Sequence, residues 1–480
     1  MSQVLGLDVG TQGTKGLVLD LESGRVVARA SSSYGLLPGL PVGAAEQDPA
    51  TWWDAVRTVV AELRAQDAFH PERLRGIGVS GQQHGFVPLD ARDEVIRPAK
   101  LWCDTSTAAE ARELSERLGR PLPTGYTASK ILWFSRHEPR NRARLARVLL
   151  PHDWIDLKLT GTAWMEAGDA SGTGFFDPLE RRFDERAMLA VDPELPELVP
   201  ELVTPHEPAG TLSRGAAAEL GLPAGVAVAP GGGDNMLSAI GSGAVVPGRW
   251  VLSLGTSATV FARADVPVVD PAGLVAPFCD STGGWLPLLC VMNATGVIEE
   301  VRSAFALGHD ELTALAEAEP AGCEGLLLLP YLAGERVPDL PRAAGTLLGI
   351  RAGSLTPGRL LRAALEGTSL NLGWGLDRMR ALGLEPTSLR LVGGGARNAL
   401  WRRILAAVAG TPVERLAEPE SAALGAALQA AWVTTKEPIE SLTARFVAVD
   451  GARVDPEPEL VEVYRTLSAR FRSEVERFYA

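Results

Sequence analysis

The sequence has few lysines and no long apolar run, and each shortage excludes a class of protein. Only five of its 46 basic residues are lysines, and the formal net charge is −13, without the basic run that nucleic acid or an anionic membrane would attract. No apolar run approaches the ~20 residues of a membrane-spanning helix. The segment Met1–Gly10 also lacks the cationic part of a secretory signal.

Cysteine is scarce as well, which argues against a disulfide framework or a structural metal site. The four cysteines are scattered, with no C-x-x-C pair: Cys103, Cys279, Cys290 and Cys323. The six histidines are dispersed and show no metal-ligand spacing. Because unpaired thiols suit a reducing compartment, we expect a cytoplasmic protein.

Three familiar catalytic motifs are absent or misplaced. No lysine follows a glycine, which excludes a P-loop, and no G-x-S-x-G serine-hydrolase motif occurs. The segment Gly76–Gly81 matches G-x-G-x-x-G, but the glycines lie inside a strand pattern and no helix start follows them. A dinucleotide site needs those glycines between a strand and a helix, so we do not expect one here.

The patterns that are present predict a duplicated α/β unit. A strand-turn-strand signal begins at Val4, and a similar signal begins at Trp250. Each is followed later by an apolar strand that runs into glycines, at Leu74–Val79 and at Leu389–Val392. A chain of 480 residues fits two domains of about 200 residues each. We therefore predict domains over residues 1–246 and 247–480.

Helical patterns lie between these strands and complete the α/β prediction. The clearest four cover Pro49–Leu63, Glu366–Leu382, Ala399–Ala409 and Glu459–Tyr479. Strands that alternate with helices are typical of sheets with parallel components.

Both predicted hairpin turns have the chemistry of a phosphate-binding loop. Asp8 ends the first strand, and the turn Gly10–Thr14 follows it with glycines whose amides can approach an anion closely. Taken by itself, this turn would be explained by a plain hairpin with a solvated aspartate. Gly255 and Thr256 repeat the pattern in the other half, which favours a nucleotide triphosphate held between the two halves. Asp8 would then hold Mg²⁺ through water.

A third glycine cluster presents a candidate catalytic carboxylate. Gly231–Gly233 precede Asp234, and a helix of small residues follows. A helix cap would explain the aspartate but not the three glycines, which open space for a ligand. Beside phosphate loops, such a carboxylate can accept the proton of an attacking hydroxyl, so Asp234 is the predicted general base.

These residues resemble the FGGY family of carbohydrate kinases, in the sugar kinase–Hsp70–actin superfamily. The resemblance runs from Val4 to about Ala431 and includes the first hairpin. Gly125–Trp133 and Gly345–Gly367 are similar to the two family signatures, although Arg359 stands where an acidic, amide or histidine residue is usual. The resemblance implies an α/β, two-domain, ribonuclease H-like fold with the active site in the interdomain cleft. It also implies ATP and Mg²⁺ as cofactors and suggests a homodimer.

The same resemblance implies a role for each motif residue. Asp234 would be the general base and Asp8 the Mg²⁺ residue. The sugar pocket would be formed by Gln83, His84, Asp104 and Asn235. ATP would lie against Thr11, Gln12, Gly13, Lys15, Gly255, Thr256, Gly394, Gly395 and Asn398.

Within the family the chain most resembles xylulokinases, for example in Gly81–Gly85 and Pro330–Arg336. That implies phosphorylation of D-xylulose to D-xylulose 5-phosphate. Gln83 stands where methionine is usual and Cys103 where asparagine is common, which leaves a D-ribulose or arabitol kinase as an alternative. Glycerol kinases carry Arg-Glu in place of Gln83-His84, so glycerol is disfavoured. An actin- or chaperone-like ATPase is a further alternative, but no β-rich extension follows residue 440.

Overall fold

The computed structural model describes residues 2–451 and 453–479. Two mixed β-sheets form its centre, one in each half of the chain, and helices cover them. Within these ranges no helix combines the length and the apolar character needed to cross a membrane.

The strands are β1 (Gln3–Val9), β2 (Gly13–Asp20), β3 (Arg25–Ser33), β4 (Glu46–Gln47), β5 (Leu74–Gly81), β6 (Val87–Leu89), β7 (Ala99–Lys100), β8 (Arg147–Leu149), β9 (Met165–Glu166), β10 (Phe176–Asp177), β11 (Arg182–Phe183), β12 (Leu202–Val203), β13 (Gly210–Thr211), β14 (Ala227–Val228), β15 (Gly232–Gly233), β16 (Arg249–Leu254), β17 (Ala258–Ala262), β18 (Ala276–Cys279), β19 (Trp285–Val291), β20 (Leu327–Leu329), β21 (Thr346–Leu348), β22 (Ser388–Val392) and β23 (Val413–Arg415).

The α-helices are α1 (Pro49–Arg64), α2 (Ala108–Leu118), α3 (Thr127–His137), α4 (Pro139–Arg142), α5 (Pro151–Thr160), α6 (Ala167–Ala170), α7 (Glu185–Val191), α8 (Leu195–Leu198), α9 (Arg214–Leu220), α10 (Asp234–Gly241), α11 (Thr295–Phe305), α12 (His309–Glu317), α13 (Pro357–Ala381), α14 (Ala399–Ala409), α15 (Ser421–Thr435), α16 (Ile439–Phe446) and α17 (Pro458–Tyr479). Single 3₁₀ turns occur at Pro71–Arg73, Cys323–Gly325 and Gly394–Arg397.

The two sheets repeat one arrangement of strands. The first has the order β13-β14-β5-β1-β2-β3, with β15 also paired to β5, and the second has the order β18-β19-β17-β16-β22-β23. In each sheet two strands form an antiparallel hairpin, β1–β2 or β16–β17. The first strand of the hairpin also pairs in parallel with a later strand, β1 with β5 and β16 with β22. This confirms the predicted α/β duplication. The predicted domain boundary, 246/247, falls between α10 and β16 and stays a prediction.

Local signals account for most helix positions. Asp48 caps α1 by accepting from the Ala50 amide, and Pro49 occupies the first turn, as the sequence predicts. Helix α14 has the predicted bounds. Helix α13 begins at Pro357 rather than at Glu366, because the Thr356 side chain caps it by accepting from the Arg359 amide.

Helix α15 packs backbone against backbone at the junction of the two sheets. A Cβ at Gly78 in β5 would clash with the carbonyl oxygen of Ala426 in this helix, and a Cβ at Gly425 would clash with that of Leu237 in α10. The Gly76–Gly81 match therefore lies inside a strand, as expected, and at Gly78 glycine is needed for helix packing.

Candidate active site

Asp8 lies near the end of β1 and is held from the neighbouring strand. The Ser80 hydroxyl donates to Asp8 Oδ1 at 2.8 Å. Desolvation raises the pKa of Asp8 to about 6, although the Ser80 hydrogen bond and the charge on Lys15 act in the opposite direction. This carboxylate is therefore easily neutralised, by a proton or by a cation.

Asp234 is placed beside it by a short parallel pairing. Gly232 and Gly233 pair with Ser80 and Gly81 of β5, so that Asp234 becomes the first residue of α10. It is partly exposed, and its Oδ1 accepts from the Asn235 amide at 2.8 Å and from Asn235 Nδ2 at 2.9 Å. Desolvation and the charges on Asp8 and Asp169 raise its pKa to about 7. A partly exposed carboxylate with that pKa can accept a proton near neutral pH.

Two predicted sugar residues present polar atoms without a protein partner. Gln83 Oε1 accepts from Asn235 Nδ2 at 2.7 Å, while Gln83 Nε2 and His84 Nδ1 are buried and bond to no group among the described residues. Burial, together with the charges on Lys130 and Arg336, lowers the pKa of His84 to about 3, so its ring is neutral. Because buried polar atoms are normally paired, two such atoms on consecutive residues, one of them bonded to Asn235 beside Asp234, favour a hydroxylated ligand.

The first predicted phosphate turn has open backbone donors. The Gly10 amide donates to the Gly13 carbonyl at 3.0 Å and closes the turn. The amides of Thr11 and Gln12 donate to no acceptor within the described ranges, so they are available to an anion. Lys15 is half-exposed and forms an ion pair with Glu420, the residue before α15, at 2.5 Å.

The second turn, at Gly255, and the glycine segment Gly393–Gly395 lie side by side at the carboxyl ends of β16 and β22. The Gly255 amide donates to the Ser257 carbonyl at 3.0 Å. A Cβ at Gly395 would lie 2.9 Å from Leu254 Cβ, whereas Gly394 faces open space. The structure thus brings together Gly255, Thr256, Gly394 and Gly395. It also uses the Asn398 side chain internally, as an acceptor for the Trp401 amide and a donor to Thr313, both at 3.0 Å.

Comparison with known proteins agrees with this arrangement. Residues 3–241 match the N-terminal domain of the FGGY family of carbohydrate kinases, and residues 250–434 match its C-terminal domain. The chain belongs to this family. A xylulose kinase of Haemophilus influenzae is 37% identical over 99% of this chain and 100% of its own length. A xylulose kinase of Streptomyces coelicolor is 38% identical over 94% of this chain and 92% of its own.

A solved structure agrees as well. The crystal structure of xylulose kinase from Rhodospirillum rubrum superposes with a TM-score of 0.89 at 30% identity, covering 99% of this chain and 98% of the other. The predicted fold class and enzyme class are confirmed: this FGGY protein is a carbohydrate kinase that uses ATP with Mg²⁺. The actin- or chaperone-like alternative is excluded by the same matches.

Three aromatic residues of this FGGY kinase near the predicted pocket were not identified from the sequence. The His84 ring centroid lies 5.0 Å from that of Tyr126 and 5.6 Å from that of Phe278. Trp102, about one-third exposed, donates from Nε1 to Thr11 Oγ1 at 2.9 Å. Tyr126 lies in the first family signature, which could have indicated it. Phe278 comes from the second sheet and has no local signal.

Asp104, by contrast, is fully buried and already saturated with protein donors. Its Oδ1 accepts from the Ser106 amide and hydroxyl, and its Oδ2 accepts from the Ala45 amide and from Lys100 Nζ at 3.1 Å. Burial alone would raise its pKa, but these hydrogen bonds and the Lys100 charge lower it. Such a carboxylate anchors the segment that carries Trp102, and its oxygens have little capacity left for a sugar.

The acidic residues of this kinase suit a partly hydrated Mg²⁺ better than a metal ion that is bound entirely by protein side chains. Within the described ranges, no group of three or more histidine, cysteine or acidic residues could hold a metal ion. Mg²⁺ usually takes one or two protein carboxylates and completes its shell with water and substrate phosphates. Asp8, whose pKa is raised to about 6, suits that mode of binding, because the cation that acts on it, Lys15, is half-exposed and paired with Glu420.

Proposed function

We propose that this kinase transfers the γ-phosphoryl group of ATP to the terminal hydroxyl of D-xylulose and forms D-xylulose 5-phosphate. The observation that carries the proposal is the unpartnered Gln83 Nε2, on a side chain that is hydrogen bonded to Asn235 beside Asp234, together with the unpartnered Nδ1 of the neighbouring His84. A polyhydroxylated chain can satisfy both atoms and still present a terminal hydroxyl to the carboxylate. The relatives named xylulose kinase, at 37% and 38% identity over nearly the full chain, support the choice of sugar.

Asp234 would act as the general base in this reaction. Its Oδ1 is fixed by two donors of Asn235, which leaves Oδ2 to accept the proton of the sugar hydroxyl. Asn235 is itself held by Gln83 on one side and by the Thr259 hydroxyl, at 3.0 Å, on the other. The base therefore has a fixed orientation before substrate binds, which favours in-line attack on the phosphoryl group.

The two turns would hold the phosphates of ATP. Open amides at Thr11 and Gln12 and open space at Gly394 fit an anionic ligand that lies between the sheets. Asp8 would hold Mg²⁺ through water, and when bound the ion supplies positive charge that stabilises the transferring phosphoryl group. Gly13, Lys15, Gly255, Thr256 and Gly395 complete the proposed nucleotide surface.

Two of the predicted contacts are better proposed as supports. The four donors on Asp104 indicate that it stabilises the sugar pocket from behind. Asn398 would position the adenosine side through its cap on α14 rather than through a free amide. A homodimer and a cytoplasmic location stay proposals, to be checked by sedimentation velocity and by cell fractionation.

A sugar panel scored by ADP release tests the proposed function. The panel contains D-xylulose, D-ribulose, D-arabitol, glycerol and a reaction without sugar. We expect the highest kcat/KM with D-xylulose and only slow ATP hydrolysis without sugar. A higher kcat/KM with D-ribulose or D-arabitol would leave a kinase but overturn the named sugar, and Gln83 would be the first residue to exchange.

A further inference from the structure

Two residues outside the first proposed phosphate turn bind its backbone carbonyl oxygens. The Gly10 carbonyl accepts from the Tyr34 hydroxyl at 2.8 Å, and the Thr11 carbonyl accepts from Gln47 Nε2 at 2.7 Å. The next carbonyl, that of Gln12, accepts from the Tyr34 amide at 3.2 Å. Neither Tyr34 nor Gln47 is assigned above to ATP or to the sugar, so these contacts need an explanation of their own.

The two side-chain contacts fix the peptide units that carry the open amides of the turn. In a trans peptide the carbonyl oxygen and the following amide hydrogen point in opposite directions within one plane. The Gly10 carbonyl shares its peptide unit with the Thr11 amide, and the Thr11 carbonyl shares its unit with the Gln12 amide. Because Tyr34 and Gln47 hold these two carbonyls, the two amides are directed away from them and stay open.

The orientation of the Gln47 amide is itself fixed. Gln47 is 1% exposed, and its Oε1 accepts from Trp52 Nε1 at 2.9 Å and from Gln82 Nε2 at 3.0 Å. An indole N–H can only donate, so the oxygen of Gln47 has to face Trp52. Its Nε2 therefore faces the carbonyl oxygens of Thr11 and Gly35, which can only accept. All the hydrogen-bonding positions of this side chain are occupied, which gives it a single orientation.

The same network prevents the Thr11 hydroxyl from donating to a phosphate. Gln82 donates its Nε2 to Gln47, so its Oε1 accepts the hydroxyl proton of Thr11 at 3.0 Å. Thr11 Oγ1 in turn accepts from Trp102 Nε1 at 2.9 Å. A hydroxyl has one proton, and here that proton is already donated. The turn therefore offers a phosphate its backbone amides, whose direction depends on Tyr34 and Gln47.

Tyr34 is held in an equally defined way. The Gly10 carbonyl can only accept, so the Tyr34 hydroxyl donates to it and accepts from the Thr14 hydroxyl at 3.2 Å. Desolvation raises the pKa of Tyr34 above its ordinary value, so the hydroxyl keeps the proton that it donates. Because its amide also binds the Gln12 carbonyl, this one residue holds two peptide units of the turn.

We propose that Gln47 and Tyr34 are positioning residues for ATP: they bind the carbonyl oxygens of the first turn and so keep its Thr11 and Gln12 amides open to the phosphates. The proposal rests on the proposed function, in which this turn holds the phosphates of ATP. It predicts that loss of either contact weakens ligands that carry phosphates, and leaves the binding of the sugar and of the nucleoside unchanged.

Two substitutions that change the side-chain volume little each release one carbonyl: Gln47→Met and Tyr34→Phe. We expect either change to raise the KM for ATP by roughly 5- to 50-fold, because a released carbonyl can turn its oxygen toward the anion. The KM for the sugar and the inhibition constant of adenosine, which has no phosphate, should stay within about 2-fold of the wild type. An unchanged KM for ATP in either variant would overturn the role of that residue. Equal losses for ATP and adenosine would overturn the proposal as a whole.

Gln3→Met is a matched control for the loss of a buried glutamine. Gln3 is also 1% exposed, and its Nε2 also donates to a backbone carbonyl, that of Ala68, at 2.9 Å. It begins β1, at the opposite end of the strand from the turn. Gln3→Met should leave the KM for ATP unchanged, and a rise equal to that in Gln47→Met would contradict the proposal. If Gln47→Met folds poorly, Tyr34→Phe, which removes a single oxygen atom, still provides the test.

Lys15→Met separates failure of this proposal from failure of the proposed function. Lys15 belongs to the proposed nucleotide surface and takes part in neither carbonyl contact. If only Lys15→Met weakens ATP, the turn holds phosphates, but Gln47 and Tyr34 do not position it. If none of the three variants weakens ATP, the turn is not a phosphate site, and both proposals about it are wrong. A preference for another sugar affects neither result, because calorimetry measures ATP binding without sugar.

Discussion

Asp8 and Asp234 reach the site from opposite sides of one strand, because Ser80 of β5 pairs with Asp8 in β1 and with Gly232 in β15. The charge on Asp8 is one reason why the pKa of Asp234 is raised. Two carboxylates held so close repel each other, and a cation on Asp8 would relieve that repulsion and leave Asp234 ionised. The pairing of three strands therefore couples the proposed metal residue to the proposed base.

The role of Asp234 is tested by Asp234→Asn. The amide keeps the shape and the contact with Asn235 but cannot accept a proton, so kcat is expected to fall by about 10²–10⁴-fold. Nucleotide binding, measured by calorimetry, should survive. Near-normal turnover in this variant would contradict the assignment of the base.

The same substitution is expected to stabilise the folded protein at high pH. Asp234 has a pKa of about 7 when folded, against about 3.9 for an unfolded aspartate. The folded state therefore binds this proton more tightly than the unfolded state does. Ionising the group destabilises the folded state, and this destabilisation is absent below about pH 4 and complete above about pH 7. Asp234→Asn should raise Tm at pH 8 and change it little at pH 4. A lower Tm at pH 8 would show that the carboxylate is well solvated or already paired.

Asp8 is tested through the requirement for Mg²⁺. Asp8→Ala should lower kcat and raise the Mg²⁺ concentration needed for half-maximal activity, with sugar affinity little altered. Initial rates over a Mg²⁺ titration give the first result, and calorimetry with the sugar gives the second. Asp67→Ala, a change at an exposed aspartate in the loop after α1, is a suitable control. A large loss of sugar binding with normal Mg²⁺ dependence would contradict the proposed metal-binding role of Asp8.

His84→Ala tests the sugar pocket. Removing the ring leaves a substrate hydroxyl without its partner, which costs about 1–3 kcal/mol, or roughly 5- to 150-fold in kcat/KM for the sugar. The KM for ATP should stay constant, because His84 belongs to neither of the two proposed phosphate turns. D-Ribulose should be less affected than D-xylulose if His84 reads the epimeric hydroxyl. Equal changes for sugar and ATP would indicate a general loss of structure.

Small-angle scattering tests whether the two halves close. Two phosphate turns on separate sheets imply that the protein contracts when sugar and a non-hydrolysable ATP analogue bind. The radius of gyration should decrease with both ligands present. Identical scattering profiles at saturation would indicate a preformed closed site.

Local patterns in the sequence were enough to predict the strands of the two hairpins, β1–β2 and β16–β17, and the parallel strands β5 and β22. The patterns that indicate Asp8, Asp234 and the glycine turns each lie within a few neighbouring residues. The start of α13 was predicted too late because a polar cap at Thr356 extends a helix beyond its apolar pattern.

Contacts between distant segments were beyond prediction. Phe278 contacts His84 only because β18 of the second sheet packs against the first half of the chain, and no local pattern indicates this contact. Asp104 was predicted as a sugar-pocket residue because its segment resembles that of xylulokinases. Two of the hydrogen bonds that occupy its carboxylate oxygens come from Ala45 and Lys100, and the motif does not indicate them.

The glycine packing of α15 bears on how the enzyme would move. At Gly78 and at Gly425 the two backbones touch with no side chain between them, and Ser238 of α10 is hydrogen bonded to Ser421 of α15 at 2.8 Å. Asp234 begins α10, and Asp8 lies in β1, whose Gly6 also packs against α15, so both carboxylates are carried by elements of this tight contact. The turn at Gly255 belongs to the other sheet, so a motion between the sheets would move this turn relative to both carboxylates. The timing of the reaction would then depend on when the nucleotide arrives at an acidic pair that is already in place.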